Sequence, residues 1–241
     1  METDQPSDVV CFYHFPCPDG VGSAWALSRS IPAAELIGVK PGCKEIDPEQ
    51  YKDNQLYFVD VCPNLELLAR LLDLGNKVTI LDHHISNQRM LESMEHGNLH
   101  ITFDMERSGC QITWDHFNPD PDELGEFILR PWFLDYIGDR DLWKFELEDS
   151  KIINLALNEF GYISVEGLSK LPYGGMATQY DFIHDKMLVP GDIIDQKHYR
   201  MMKRDKKQAV RTEFHLPRRG WKTVLNSISH IVFEWDQPMG I

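Results

Sequence analysis

The chain has 241 residues, 42% of them hydrophobic, enough for one substantial core or for a domain of about 150 residues with a smaller companion. A formal net charge of -14 argues against a protein that wraps long duplex nucleic acid by neutralising its phosphates. No run approaches the roughly 18 apolar residues of a membrane span, and the acidic start Met1 to Pro6 lacks the basic and apolar regions of a secretory signal. Cys11, Cys17, Cys43, Cys62 and Cys110 are odd in number and show no CxxC spacing, which predicts free thiols in a reducing compartment and a cytoplasmic location.

Strand and helix patterns alternate along the first half. Val9 to Tyr13 reads as a buried strand, followed by a helix over Val21 to Ser30 entered through Gly20 and Gly22. Ala34 to Val39 is a second strand and Leu56 to Val59 a third. Asn64 is the expected N-cap of a helix over Leu65 to Leu74, which Gly75 stops. Lys77 to Leu81 is the fourth strand, His100 to Phe103 the fifth, and Ser108 to Phe117 a helix. Asp122 to Ile137 reads as a longer helix kinked at Pro131. This rhythm predicts an α/β fold, a mostly parallel five-stranded sheet with helices on both faces, over residues 1 to 145.

The pattern changes beyond that point. Ile152 to Phe160 and Ser164 to Leu171 read as short helices, and Pro190-Gly191 opens a polar connector from about residue 192 to 211 within a helical region, 146 to 211. Between Lys197 and Lys222 ten cations face two carboxylates, a local charge of +8 in an acidic chain. Such a run is either a solvated helix face or a basic lip for an anionic substrate, with Lys203 and Arg204 as candidate contacts.

Chemistry-bearing side chains gather where the strands end. His14, Cys17 and Asp19 follow the first strand, Asp60 the third, and Asp82-His83-His84 closes the fourth; Asp139 lies just beyond a helical stretch. Ligands of open α/β sheets bind outside the carboxyl ends of the strands. Carboxylates together with imidazoles are the donor set for two hard divalent ions that polarise a phosphoryl group, manganese first and magnesium next.

The order His14-x4-Asp19-Gly20, Asp60, Asp82-His83-His84 and Gly138-Asp139 resembles the DHH phosphoesterase superfamily. That superfamily holds RecJ-type exonucleases, nanoRNase-type oligoribonucleases, cyclic-dinucleotide phosphodiesterases, Prune-like proteins and family II pyrophosphatases. The motifs span residues 9 to 141. Ser108-Gly109 also resembles a helix start that faces substrate in many members.

The resemblance implies a role for each position. Asp60 bridges two metals; His14 binds the first; Asp19, Asp139 and His83 bind the second. Asp82 orients an imidazole from behind the ligands, and His84 contacts the scissile phosphate. Water activated between the ions attacks phosphorus in line, without a protein nucleophile.

Cys17 stands where many members carry a further Asp, so it is either a ligand for a softer ion or a half-buried thiol. Arg140 and Asp141 read as a local surface pair or, for Arg140, a phosphate contact. Residues 212 to 241 read as an incomplete or divergent start of the small domain that follows the DHH domain in such proteins. The implied activity is hydrolysis of short oligonucleotides or small nucleotides, with a homodimer as the candidate assembly. A pyrophosphatase or short-chain polyphosphatase, and a metal-binding interaction module without turnover, are the alternatives.

Overall fold

A computed structural model of the chain describes residues 8–91, 94–119, 129–173, 182–188, 190–191 and 194–197. Lys203, Arg204, nearly all of the basic segment and the expected start of a further domain lie outside these residues.

Five strands form one all-parallel sheet: β1 (Val9–His14), β2 (Glu35–Val39), β3 (Gln55–Val59), β4 (Lys77–Asp82) and β5 (Leu99–Phe103), in the order β2-β1-β3-β4-β5. The inner strands β1, β3 and β4 read as nearly continuous apolar runs because both faces are covered, whereas the edge strands β2 and β5 are more exposed. The helices are α1 (Pro18–Ser30), α2 (Leu65–Asp73), α3 (Ile85–Leu91), α4 (Gly109–Phe117), α5 (Trp132–Asp141), α6 (Ser150–Glu159) and α7 (Val165–Leu168).

From β1 the chain crosses to β2 on one side; from β3 it crosses to β4 on the other. Crossovers of one hand therefore place α1 and α2 on opposite faces. Packing agrees. Leu67, Leu68, Leu71 and Leu72 of α2 share a core with Val10, Phe12, Leu56, Phe58, Val78 and Ile80. Leu27 of α1 and Ile112 of α4 cover the other face, against Cys11, Tyr57, Val59 and Leu81. A third cluster joins Trp25 of α1 and Trp114 of α4 to Phe133, Leu134 and Ile137 of α5 and to Ile153 and Leu157 of α6, so the later helices form a further layer on this face.

Local signals explain most boundaries. The side chain of Asn64 accepts the Leu67 N–H at 2.9 Å, and Gly75 takes φ +82 just past the end of α2. Pro131 stands before the first residue of α5, where a fixed φ and a missing N–H cost nothing, so it opens a helix where the sequence pattern suggested a kink. Residues 120–128 lie outside the description. Helix α3 was not expected, because its seven residues, Ile85 to Leu91, begin directly after the histidine pair and carry four polar side chains.

Where strand order reverses, between β1 and β3, the ends of neighbouring strands diverge and leave a crevice. His14 ends β1 and Asp60 follows β3, so both lie at that crevice.

Candidate metal centre

Asp60 takes φ 57, a left-handed conformation that turns the chain sharply as it leaves β3. Its N–H is held by the Leu81 carbonyl at 2.9 Å, and the carboxylate is 1% exposed. The two carboxylate oxygens face different partners. Oδ2 lies 3.3 Å from His14 Nδ1, whereas Oδ1 lies 3.2 Å from His83 Nε2 and 3.8 Å from His84 Nδ1. Burial pushes the acid up, but hydrogen bonds to His14 and His83 and the charges of His84 and His83 outweigh it and hold Asp60 at about 2.

Two groups of donors arise, each with ligand atoms within 4.8 Å of one another: His14, Asp60 and His84, and Asp19, His83 and Asp141. His83 Nε2 faces three carboxylates at once, Asp60 at 3.2 Å, Asp141 at 3.4 Å and Asp19 at 3.6 Å. Burial acts against its positive charge, yet the bond to Asp60 and the charges of Asp19, Asp60 and Asp141 prevail and raise it to about 9. Asp141 moves up to about 7, first through burial and then through repulsion from Asp19 and Asp60. Asp19 is raised for the same two reasons. Converging carboxylates that repel one another round an imidazolium are a concentration of negative charge that a divalent cation would relieve.

Helix α4 fixes Asp19. Its first N–H groups, of Gly109 and Cys110, donate to the two carboxylate oxygens at 2.6 and 3.0 Å. Approach this close requires glycine at 109: a Cβ there would stand 2.6 Å from the Asp60 Cβ and 2.9 Å from Asp19 Oδ2. Gly20 is equally constrained, since its Cβ would collide with the His14 carbonyl.

Asp82 is fully buried and spends its carboxylate on positioning. Oδ1 accepts the backbone N–H of His83 at 2.8 Å and lies 2.7 Å from His84 Nδ1; Oδ2 accepts Asn87 Nδ2 at 2.6 Å. This hydrogen bond is the main reason His84 is raised. It also fixes the Nδ1 proton, leaving Nε2 as the atom that can bind an ion or a phosphoryl oxygen.

His14, Asp19, Asp60, His83 and His84 thus converge as the strand-end pattern indicated, with Asp82 behind them. Two positions differ. Asp139, in the last turn of α5, turns away from the cluster and accepts the N–H groups of Glu146 at 2.9 Å and Leu147 at 3.4 Å, while Asp141 occupies the place foreseen for it. Residues two apart on a helix point in nearly opposite directions, so only one of them can face the crevice. Ser108 is buried as the N-cap of α4, its N–H on Gln111 Oε1 at 3.1 Å and its Oγ 3.3 Å from Cys110 Sγ, so it does not line the surface for substrate. Arg140 is exposed.

Cys17 is the N-cap of α1 and half-buried, outside both donor groups. Burial, then the charges of Asp60 and Asp19, push its thiol far up, so it stays protonated beside the carboxylates. Asn87 was not singled out by sequence, and Gly109 only as part of the Ser108-Gly109 helix start. Asp141 was read as half of a surface pair with Arg140, whereas it lies 3.4 Å from His83 Nε2 and belongs to the second donor group.

The donor set is carboxylate and imidazole throughout, which fits hard or borderline divalent ions. No protein-family model matches the chain. Among curated proteins it is similar to the uncharacterized protein R106 of Acanthamoeba polyphaga mimivirus, 28% identical over 152 residues, covering 57% of this chain and 34% of the viral protein. The chain therefore spans about a third of that relative's length. Among solved structures it is similar to an uncharacterized protein from Helicobacter pylori G27, with a TM-score of 0.49 and 15% identity, covering 73% of this chain and 60% of the other.

Proposed function

We propose that the chain is a two-metal phosphoesterase of the DHH kind that hydrolyses short oligonucleotides or small nucleotides. One observation carries the reading: Asp60 turns one carboxylate oxygen toward His14 and the other toward His83, so a single buried side chain joins both donor groups. His14 and Asp60 would hold one ion and Asp19, His83 and Asp141 the other, with Asp60 shared, and His84 beside the first ion would be left for the phosphoryl group. When bound, such ions lower the pKa of a water and neutralise charge developing on a phosphoryl group.

The residues of the chain supply the rest. Asp82 keeps the His84 ring in one orientation, with Nε2 available to a phosphoryl oxygen. Asn87 in turn holds Asp82. Asp19 cannot swing away because α4 grips both its oxygens. Preorganised groups of this sort need no rearrangement as charge develops.

Among the described residues no helix is long and apolar enough to cross a membrane. A cytoplasmic location is part of this reading, supported by five cysteines that are all free thiols.

The test is hydrolysis of a labelled five-nucleotide RNA, a cyclic dinucleotide and pyrophosphate with manganese, magnesium or a chelator. Manganese-dependent cleavage of the RNA or the cyclic dinucleotide is the expected result. Hydrolysis of pyrophosphate alone would assign a pyrophosphatase, and metal binding without turnover of any substrate would assign a binding module.

A further inference from the structure

Directly beyond Asp141 the chain displays a large aromatic ring to solvent. Trp143 is 46% exposed, although a side chain of this size gains more than almost any other from burial. Its backbone has φ 57, and Phe145 follows with φ 50, conformations that bulky residues adopt only where the surroundings impose them.

Here Asp139 imposes them. Its carbonyl accepts the N–H groups of Lys144 at 2.9 Å and Phe145 at 3.3 Å, and its carboxylate accepts those of Glu146 and Leu147. Lys144 Nζ ties the same loop to the Glu106 carbonyl at 3.0 Å. Phe145 braces Trp143 with ring centroids 5.0 Å apart at 75°, and the Lys151 ammonium lies 4.9 Å from the centroid of Phe145. The loop therefore holds an apolar ring in place two residues past Asp141, a member of the acidic donor group, and leaves nearly half of it uncovered. A ring fixed in advance loses little entropy when a flat partner lies on it.

We propose that Trp143 is a stacking platform for a nucleobase of the substrate, so that the site selects nucleotide-bearing phosphates over base-free ones; this rests on the phosphoesterase reading of the same site. Stacking tolerates any base, because every base has a flat π-face, whereas pyrophosphate and sugar phosphates offer none.

Calorimetric titration of the manganese-loaded full chain with AMP and with ribose 5-phosphate tests this without requiring turnover. The wild type binds AMP about ten-fold more tightly, within the range that one stacked base supplies. W143A closes the gap, and W143F keeps most of it. In parallel, the ratio of kcat/KM for a five-nucleotide RNA to that for an abasic five-unit oligomer falls about ten-fold in W143A. Equal wild-type affinities for the two ligands, no binding of AMP, or an AMP affinity unaffected by W143A would overturn the proposal. If AMP binds through Trp143 while neither oligomer is cleaved, the platform stands and the phosphoesterase reading fails.

Discussion

Asp141 Oδ2 lies 3.4 Å from His83 Nε2, whereas Asp139, two residues earlier, gives its carboxylate to the backbone of the loop that follows. The two acids therefore separate in function. Asp141→Asn weakens manganese binding at least ten-fold in calorimetric titration and abolishes metal-dependent hydrolysis, with the urea unfolding midpoint little changed. Asp139→Ala instead costs about 1 to 3 kcal/mol of stability, the value of hydrogen bonds to a buried charged acceptor. If Asp139→Ala lost metal while Asp141→Asn kept it, the assignment would be reversed.

His84 and Asp82 form the next pair. With its Nδ1 held at 2.7 Å by Asp82, His84 presents one nitrogen in a fixed direction. His84→Ala lowers kcat by roughly two to three orders of magnitude, the usual effect of removing one electrostatic stabiliser. Asn87→Ala leaves His84 in place but frees Asp82 Oδ2, so its effect on kcat is smaller, about ten-fold, and glutamine does not restore it because the longer side chain overshoots. Equal losses in His84→Ala and Asn87→Ala would mean that the hydrogen-bond chain, and no contact of His84 itself, carries the effect.

The metal-free protein has a defined pH response. His83 titrates at about 9 against an ordinary 6.5, so its contribution to stability is complete below 6.5 and is lost as pH rises through 9. Asp141, raised from 3.8 to about 7, acts in the same direction, its contribution being lost as pH rises through 7. Asp60, lowered to about 2, contributes above 3.8 and loses that contribution as pH falls through 2. The chelator-treated chain should therefore unfold at progressively lower urea concentration from pH 5.5 to 7 to 8.5. Manganese reverses the trend, because binding displaces the His83 proton and so tightens as pH rises toward 9. A midpoint that is flat with pH in the absence of metal would remove the imidazolium and its carboxylate neighbours from the account.

Much of this was legible in sequence, for physical reasons that differ by position. The short apolar runs of β1, β3 and β4, bounded by turn residues, fit strands buried on both faces, and the polar residues that end them then sit at the carboxyl end of the sheet. Asn64 and Gly75 announced the limits of α2 through their capping chemistry. What could not be read was direction. Whether Asp139 or Asp141 faces the crevice depends on where α5 begins, and Pro131 sets that start by opening the helix. Nor could the exposure of Trp143 be read, since no sequence pattern marks a loop whose backbone is held left-handed by an acid four residues earlier. The Ser108-Gly109 helix start was visible, but the packing role of Gly109 was not, because its partners, Asp19 and Asp60, are distant in the chain.

Gly109 offers the sharpest packing test of the centre. Glycine is a poor residue within a helix, so replacing it by alanine at the first position of α4 should stabilise the protein if nothing else intervened. Here the added Cβ would stand 2.6 Å from the Asp60 Cβ and 2.9 Å from Asp19 Oδ2, both buried and both candidate ligands. Gly109→Ala should accordingly cost about 1 to 3 kcal/mol, the range for overpacking a filled interior, and weaken manganese binding by ten-fold or more as the two carboxylates shift apart. Gly97→Ala is the matched control, since a Cβ there meets nothing within 4 Å, and it should change neither quantity. Urea unfolding and calorimetric titration of the two variants decide the matter. A Gly109→Ala protein as stable as the wild type, with manganese affinity intact, would show that α4 does not set the spacing of Asp19 and Asp60.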